Sequence, residues 1–302
     1  MKNFWTLGLG LIAASLIFVS QAAPNNTAIA NSLSSVPDRT GWASTLTFGI
    51  IPAEASLDPR ERFEPLIDHL EKKLGLKIKP YFGPDYLAVI VGMASQKLDF
   101  AYMGPLAYVR AAERGGAVAF ARENTIKTGL GCHSIIVSRA DSGIKTLGDA
   151  KGKSFAFVDP ESASGYLLPW LYLVRDLKIK PEAYFKTLSF GGSHEANIES
   201  VIEGKVQVAA TNDREIDVAI RDGEIKNIKA LNILWTSQTI PTFPLAYRKD
   251  LPQSLQKALR EAVLSFNDKK ALTRIGLKSF APATDDEYDP IRKLEQAKKS
   301  LK

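Results

Sequence analysis

The sequence predicts an α/β protein built as two lobes, the second inserted into the first. Three observations carry this. Short apolar runs alternate with stretches that place apolar residues at helical spacing, the sign of a mostly parallel sheet covered on both faces. The alternation restarts near residue 130. It breaks again at Ile240-Pro-Thr-Phe-Pro244. The chain therefore crosses between the lobes twice, and the crossings are positioned as a two-strand hinge. Lobe 1 is expected over 45–130 plus 242–302 and lobe 2 over 131–241. Ligands of such folds sit in the cleft at the carboxyl ends of the strands.

Each element follows from its pattern. Thr45 to Ile51 alternates and then runs apolar, as a buried strand does. Arg60 to Leu74 carries Phe63, Leu66, Ile67, Leu70 and Leu74, an apolar helical stripe that stops at Gly75. Lys77 to Phe82 is a strand, Asp85 to Gln96 a helix, and Leu98 to Tyr102 a strand. Leu106 to Arg114 is helical up to Gly115-Gly116, and Val118 to Ala121 is a short strand. In the second lobe, strands are expected at Ser134–Ser138, Lys153–Val158, Phe185–Phe190, Val206–Ala210 and within Ile228–Thr236. Helices are expected at Tyr166–Leu177, Ser193–Glu203 and Ile216–Ile220. The chain then returns through Leu245-Ala-Tyr247 to a helix over Leu255–Asn267 and a charged, partly helical tail from Asp285 to Lys302.

The first residues are not part of this pattern. Lys2, the apolar run Leu7–Val19 and the small residues before Pro24 have the layout of a secretory signal peptide, 1–23, cleaved near Ala22 or Ala23. The apolar run falls well short of the roughly 20 residues that span a bilayer. Residues 24–44 are rich in Ser, Thr, Asn and Pro without periodicity and read as a disordered leader. The mature protein is expected in the periplasm. Its one cysteine, Cys132, allows neither an internal disulfide nor a Cys-rich metal site. The net charge of +6 comes from scattered residues. Pairs such as Lys72-Lys73 and Lys269-Lys270 lie on helix faces beside acids, which points to solvated surface rather than nucleic-acid binding.

One stretch stands out, Asp159-Pro-Glu-Ser-Ala-Ser-Gly-Tyr-Leu-Leu-Pro169. A strand runs into a helix start that offers Ser162, Ser164 and Gly165. The first N–H groups of a helix lack intrahelical partners, the dipole adds positive charge there, and serine hydroxyls add donors. An ordinary N-cap explains either serine equally well. Similar donor-rich strand ends recur at Gly83-Pro-Asp-Tyr86, Tyr102-Met-Gly-Pro105, Gly191-Gly-Ser-His194 and Thr211-Asn-Asp213. Each also has a structural reading: Tyr86 as core, Ser193 and Asp213 as caps, His194 as a packed imidazole. Their coincidence at one cleft favours a site for an anion.

Catalysis finds little support. No set of His, Cys, Asp and Glu has metal-ligand spacing, and there is neither a nucleophile elbow nor a phosphate-binding loop ending in Gly-Lys-Ser/Thr. No cofactor and no metal are expected. Cys132 beside His133 is the one candidate for thiol chemistry, although adjacent residues need not face each other.

Taken together, Phe48-Gly-Ile-Ile-Pro52, Pro84-Asp-Tyr86, Leu98-Asp-Phe-Ala-Tyr102 with Gly104-Pro-Leu-Ala-Tyr108, the Asp159–Tyr166 stretch, Gly192-Ser-His-Glu195 and Ile240–Pro244 resemble the PhnD-type substrate-binding proteins of ABC importers for phosphonate, phosphite and phosphate. The resemblance covers nearly the whole mature chain in family order. It implies a type II-like periplasmic-binding-protein fold closing over its ligand, a monomer, and an ABC permease and ATPase complex at the inner membrane as partners. It implies that Tyr86, Ser162, Ala163, Ser164 and His194 surround a small phosphorus oxyanion. Many relatives have Thr where this chain has Ala163, so one hydroxyl donor is missing. A Tyr common in relatives is replaced here by Cys132 or His133.

Relatives that bind aminoalkylphosphonates hold the ammonium with acids; this chain has Phe243 and Arg214 at the aligned positions. An ammonium left unpaired in a closed cleft is costly. A small ligand is expected instead: phosphite, methylphosphonate or phosphate. Asp213 is a candidate acceptor for a ligand proton, with Asn212 beside it, and Tyr102 a candidate apolar wall for a P–H or P–CH3 group. Two other readings stay open: a sensor presenting an oxyanion to a histidine kinase, and a periplasmic thiol enzyme using Cys132 and His133.

Overall fold

The computed structural model describes residues 38–53 and 59–301. The expected signal peptide and the leader up to residue 37 lie outside the described residues. The end of that leader is ordered, contrary to expectation. Trp42 donates its indole N–H to Ser254 Oγ at 2.9 Å and packs its ring on the core. One aromatic ring with a bonded N–H gains enough burial to fix a short polar segment.

Among the described residues, eleven strands form two sheets: β1 (Thr45–Ile50), β2 (Lys77–Phe82), β3 (Phe100–Tyr102), β4 (Ala117–Thr125), β5 (Gly131–Arg139), β6 (Ser154–Phe157), β7 (Thr187–Phe190), β8 (Val208–Asn212), β9 (Leu231–Pro241), β10 (Pro244–Arg248) and β11 (Leu277–Pro282). The first sheet has the order β11-β4-β10-β3-β1-β2 and the second β7-β6-β8-β5-β9. Two lobes therefore exist, each organised by its own sheet. The chain leaves the first sheet between β4 and β5 and returns between β9 and β10. At these crossings Thr242 N–H donates to the Leu130 carbonyl and Glu123 N–H to the Phe243 carbonyl, so the two connections run side by side.

The sheets are mixed rather than mostly parallel. β1 pairs in parallel with β2 and β3, and β6 with β7 and β8. The strands at the crossings pair antiparallel: β10 with β3 and β4, β4 with β11, and β5 with β8 and β9. A strand that carries the chain out of a sheet and one that brings it back beside it must run in opposite directions. Hydrophobic periodicity reports burial and not strand direction, so the sequence pattern could not distinguish the two.

Most expected elements occur with shifted ends. Ile216–Ile220 is the middle of a longer helix, Asp213–Arg221, capped by the Asn212 side chain accepting from Glu215 N–H. The helix Lys269–Arg274 and the strand β11 had no clear signal. β11 lies at a sheet edge and ends in Pro282, and edge strands tolerate such irregular composition.

The core joins the lobes. Phe48 stacks on Phe100 with ring centroids 4.4 Å apart. Val158, Ala163, Leu167, Leu168 and Leu171 of the second lobe belong to the same buried cluster as these first-sheet residues. Each buried large side chain is worth about 1.5–3 kcal/mol. That continuity makes Asp38–Lys302 one compact unit. The C-terminal helix Asp289–Lys299 adds to it, with Lys298 Nζ 3.9 Å from the Tyr166 ring centroid.

Candidate functional site

The Asp159–Pro169 stretch forms a tight turn that opens into a widened helix. Ser162 is the N-cap of a π-helical turn over Ala163–Leu167, followed by one α-turn, Leu168–Leu171. The cap is made by the Ser162 hydroxyl, which accepts from Gly165 N–H at 2.9 Å. Leu167 N–H donates to the Ser162 carbonyl at 3.0 Å, which closes the wide turn. Glycine is required at 165 because a Cβ there would lie 2.3 Å from Val158 Cβ. The strand end thus presses directly on the helix start, and the leading N–H groups of Ala163 and Ser164 lie beyond intrahelical partners. Single π-turns occur often at functional positions.

Two neighbouring helix starts converge on Ser164. His194 opens the helix His194–Ile202, capped by Ser193. Its Nε2 lies 3.4 Å from Ser164 Oγ and its Nδ1 3.2 Å from Thr211 Oγ1. Asn212 Nδ2 donates to Ser164 Oγ at 3.4 Å and sits 3.3 Å from the imidazole. His194 is fully buried, and burial, aided by the nearby Arg214 charge, lowers its pKa to about 3. The ring is therefore neutral at physiological pH, with one nitrogen donating and the other accepting.

The first lobe contributes Tyr86 and the end of β1. Tyr86 starts the helix Tyr86–Ala94, capped by Asp85, and is wholly buried. Its hydroxyl has no hydrogen-bond partner among the described residues. A buried hydroxyl left unmatched is costly, and such groups are expected to meet a ligand or water. The Tyr86 N–H faces the Asp159 carboxylate, whose pKa is raised by burial against that bond. The His194 N–H donates to the Ala53 carbonyl at 3.1 Å, just beyond β1. Both contacts bring the second lobe's helix starts against the first lobe.

A buried charge cluster adjoins this site, and the sequence reading did not find it. Glu123 on β4 accepts from the Tyr102 hydroxyl at 2.6 Å and from Arg214 Nη2 at 2.8 Å. Arg214 also pairs with Glu215 and lies 5.6 Å from the Phe243 ring centroid. Tyr102 and Phe243 are themselves 5.6 Å apart. Burial opposes the Arg214 charge, but Glu123 and Glu215 outweigh it and hold the guanidinium protonated. Arg62, on the helix Pro59–Leu74, is buried beside the same groups, and burial with the Arg214 charge lowers its pKa to about 10. Glu123 and Arg62 carry no local motif; only their depth in the core gives them away. The Tyr102 hydroxyl is spent on Glu123.

Three expectations change. The Asp213 carboxylate is committed to His133: it accepts from His133 N–H at 2.9 Å and contacts His133 Nδ1 at 2.7 Å. His133 uses its other nitrogen on Thr239 Oγ1 at 2.8 Å, so its ring is committed at the β5–β9 edge. Cys132 alternates to the opposite face of β5 and is only 1% exposed, inside the core. Burial, then the Asp213 and Glu123 charges, push its thiol well above the usual range. A thiol without access or ionisation is no nucleophile. Strand alternation separates the two residues, which removes the paired Cys132–His133 arrangement.

Comparison with known proteins agrees with the two-lobed fold. A family model for "ABC transporter, phosphonate, periplasmic substrate-binding protein" matches residues 48–288. The phosphonates-binding periplasmic protein of Escherichia coli (strain K12) is 31% identical over 257 residues, which cover 82% of this chain and 75% of that protein. The phosphate-import protein PhnD of Mycolicibacterium smegmatis is 31% identical over 274 residues, covering 83% of this chain and 85% of that protein. A crystal structure of a binding protein component of an ABC phosphonate transporter from Pseudomonas aeruginosa superposes with a TM-score of 0.79 at 31% identity, over 85% of this chain and 87% of that one. The family model spans most of the chain, and the chain belongs to the periplasmic phosphonate substrate-binding family of ABC transporters.

Proposed function

We propose that this protein binds one small phosphorus oxyanion, phosphite, methylphosphonate or phosphate, between its lobes and delivers it to an ABC permease and ATPase complex at the inner membrane. The moving bodies are 45–130 plus 242–302 and 131–241, hinged at the two crossings. The chain is exported by its signal peptide, cleaved near Ala22 or Ala23, and acts without turnover.

The observation that carries this reading is the Tyr86 hydroxyl, buried with no partner among the described residues. It belongs with the neutral donors of the other lobe: the Ser162 and Ser164 hydroxyls, the N–H groups at Ala163 and Ser164, and the His194 imidazole. Such a set holds an oxyanion by hydrogen bonds and helix-start dipoles, without a direct lysine or arginine clamp. The rings of Tyr102 and Phe243 suit a P–H or P–CH3 substituent. The relatives named above are a phosphonate-binding and a phosphate-import protein, which favours import over sensing.

Titration calorimetry of the mature protein with phosphite, methylphosphonate and phosphate tests the reading. Saturable one-site binding of at least one is expected. Absence of binding to all three would sink it.

A further inference from the structure

We infer that Thr211 fixes the tautomer of His194: its hydroxyl donates to His194 Nδ1, so the ring carries its one proton on Nε2 and presents a donor, not a lone pair, to the bound oxyanion. This rests on the oxyanion reading above and deepens it, naming a positioning residue that acts on the ligand only through another.

A neutral imidazole has one donor nitrogen and one acceptor. His194 is in that state, its pKa lowered to about 3 by burial and then by the Arg214 charge. Which nitrogen keeps the proton is set by the partner of the other. The choice matters for an anion. An Nε2–H attracts it, whereas an Nε2 lone pair repels it.

The hydrogen bonds around the ring make that choice. Thr211 is wholly buried, and its hydroxyl has one hydrogen-bond partner among the described residues, His194 Nδ1 at 3.2 Å. A buried hydroxyl proton needs an acceptor, so Nδ1 is the bare nitrogen. Asn212 does not discriminate, because its amide nitrogen lies 3.3 Å from both ring nitrogens. That amide offers the ring only donors, since its oxygen is turned to the helix start and accepts from Glu215 N–H at 2.8 Å. Nε2 meets Ser164 Oγ at 3.4 Å, an oxygen able to accept. The Nε2–H therefore emerges beside the Ser164 hydroxyl, among the donors assigned to the oxyanion.

The sheet holds this geometry in place. Thr211 is on β8, an interior strand between β6 and β5, and pairs with Ile135. Threonine is branched at Cβ and stiff about χ1, so its strand position directs the hydroxyl. The helix His194–Ile202 is tied to the same strand, with Asn197 Nδ2 donating to the Ala210 carbonyl at 2.8 Å.

Long-range nitrogen–proton correlation spectra of the mature protein with labelled histidine read the tautomer, the His194 signals being those missing in His194→Gln. The wild type should show Nε2 protonated and Nδ1 as a hydrogen-bonded acceptor. Added methylphosphonate should shift Nε2 far more than Nδ1. Thr211→Val removes the hydroxyl and keeps the shape. It should move Nδ1 towards the shift of a free acceptor and weaken methylphosphonate binding by about threefold to tenfold, the usual worth of one hydrogen bond. Thr211→Ala carries the same expectation should the valine variant not fold. Thr211→Ser keeps the hydroxyl and should restore both the signal and the affinity. A wild-type ring protonated on Nδ1 overturns the proposal, and so does unchanged affinity in a folded Thr211→Val. Weakened binding with the Nδ1 signal unmoved also overturns it, since Thr211 would then be a packing residue. Failure of the wild type to bind any phosphorus oxyanion, with the Nε2–H still seen, would instead defeat the underlying functional reading.

Discussion

Ser164 Oγ lies 3.4 Å from His194 Nε2, each side chain buried and each at the start of a different helix. Two helix starts and a neutral imidazole thus meet at one point, and the consequences can be measured.

His194→Ala should weaken oxyanion binding by about 1.5–3 kcal/mol, the usual worth of a hydrogen bond to a charged group. Calorimetry with methylphosphonate gives the value. Unchanged affinity would make His194 a packing residue.

The two serines should separate. Ser162 caps the π-turn, so Ser162→Ala should lower stability by about 1 kcal/mol, read from the denaturant midpoint. Ser164 does not cap the turn, and Ser164→Ala should act chiefly on affinity with a smaller loss of stability.

The buried neutral state of His194 predicts a pH signature. Its pKa falls from an ordinary value near 6.5 to about 3 on folding. The unfolded chain therefore binds more protons between these values, and the His194 contribution to stability is complete above pH 6.5 and is lost as pH falls toward 3. His194→Gln, which cannot titrate, should flatten that part of the stability profile. A profile as steep as that of the wild type would contradict a buried neutral imidazole.

Arg110 joins the lobes outside the pocket. It pairs with Glu161 beside the binding turn and with Glu295 at 2.9 Å on the C-terminal helix. Arg110→Ala should cost about 1.5–3 kcal/mol of stability by leaving Glu161 without this cation and Glu295 with only Lys299, 3.6 Å away. It should also weaken ligand binding without touching the ligand. A loss of stability with intact affinity would limit Arg110 to a structural role.

Cys132 should resist thiol reagents in the native protein and react at once in denaturant. Cys132→Ala should leave oxyanion binding within about threefold, less than 1 kcal/mol. Fast native labelling would mean that the β5 face opens.

Much of this was legible from residue order alone. The strand-into-helix stretch ending in Ser162, Ser164 and Gly165, the capped start at His194, and the restart of the α/β pattern near residue 130 are local signals. Each arises from backbone groups within a few residues of one another, so sequence spacing encodes them directly. Tertiary structure decided the rest. Whether Asp213 faces the pocket or His133, and whether Cys132 faces His133 or the core, depends on strand register and on which face of β5 is buried. The Glu123–Arg214 pair joins residues 91 positions apart, on different lobes. Charges that distant interact strongly only once folding has removed the water between them, and no local pattern records that event.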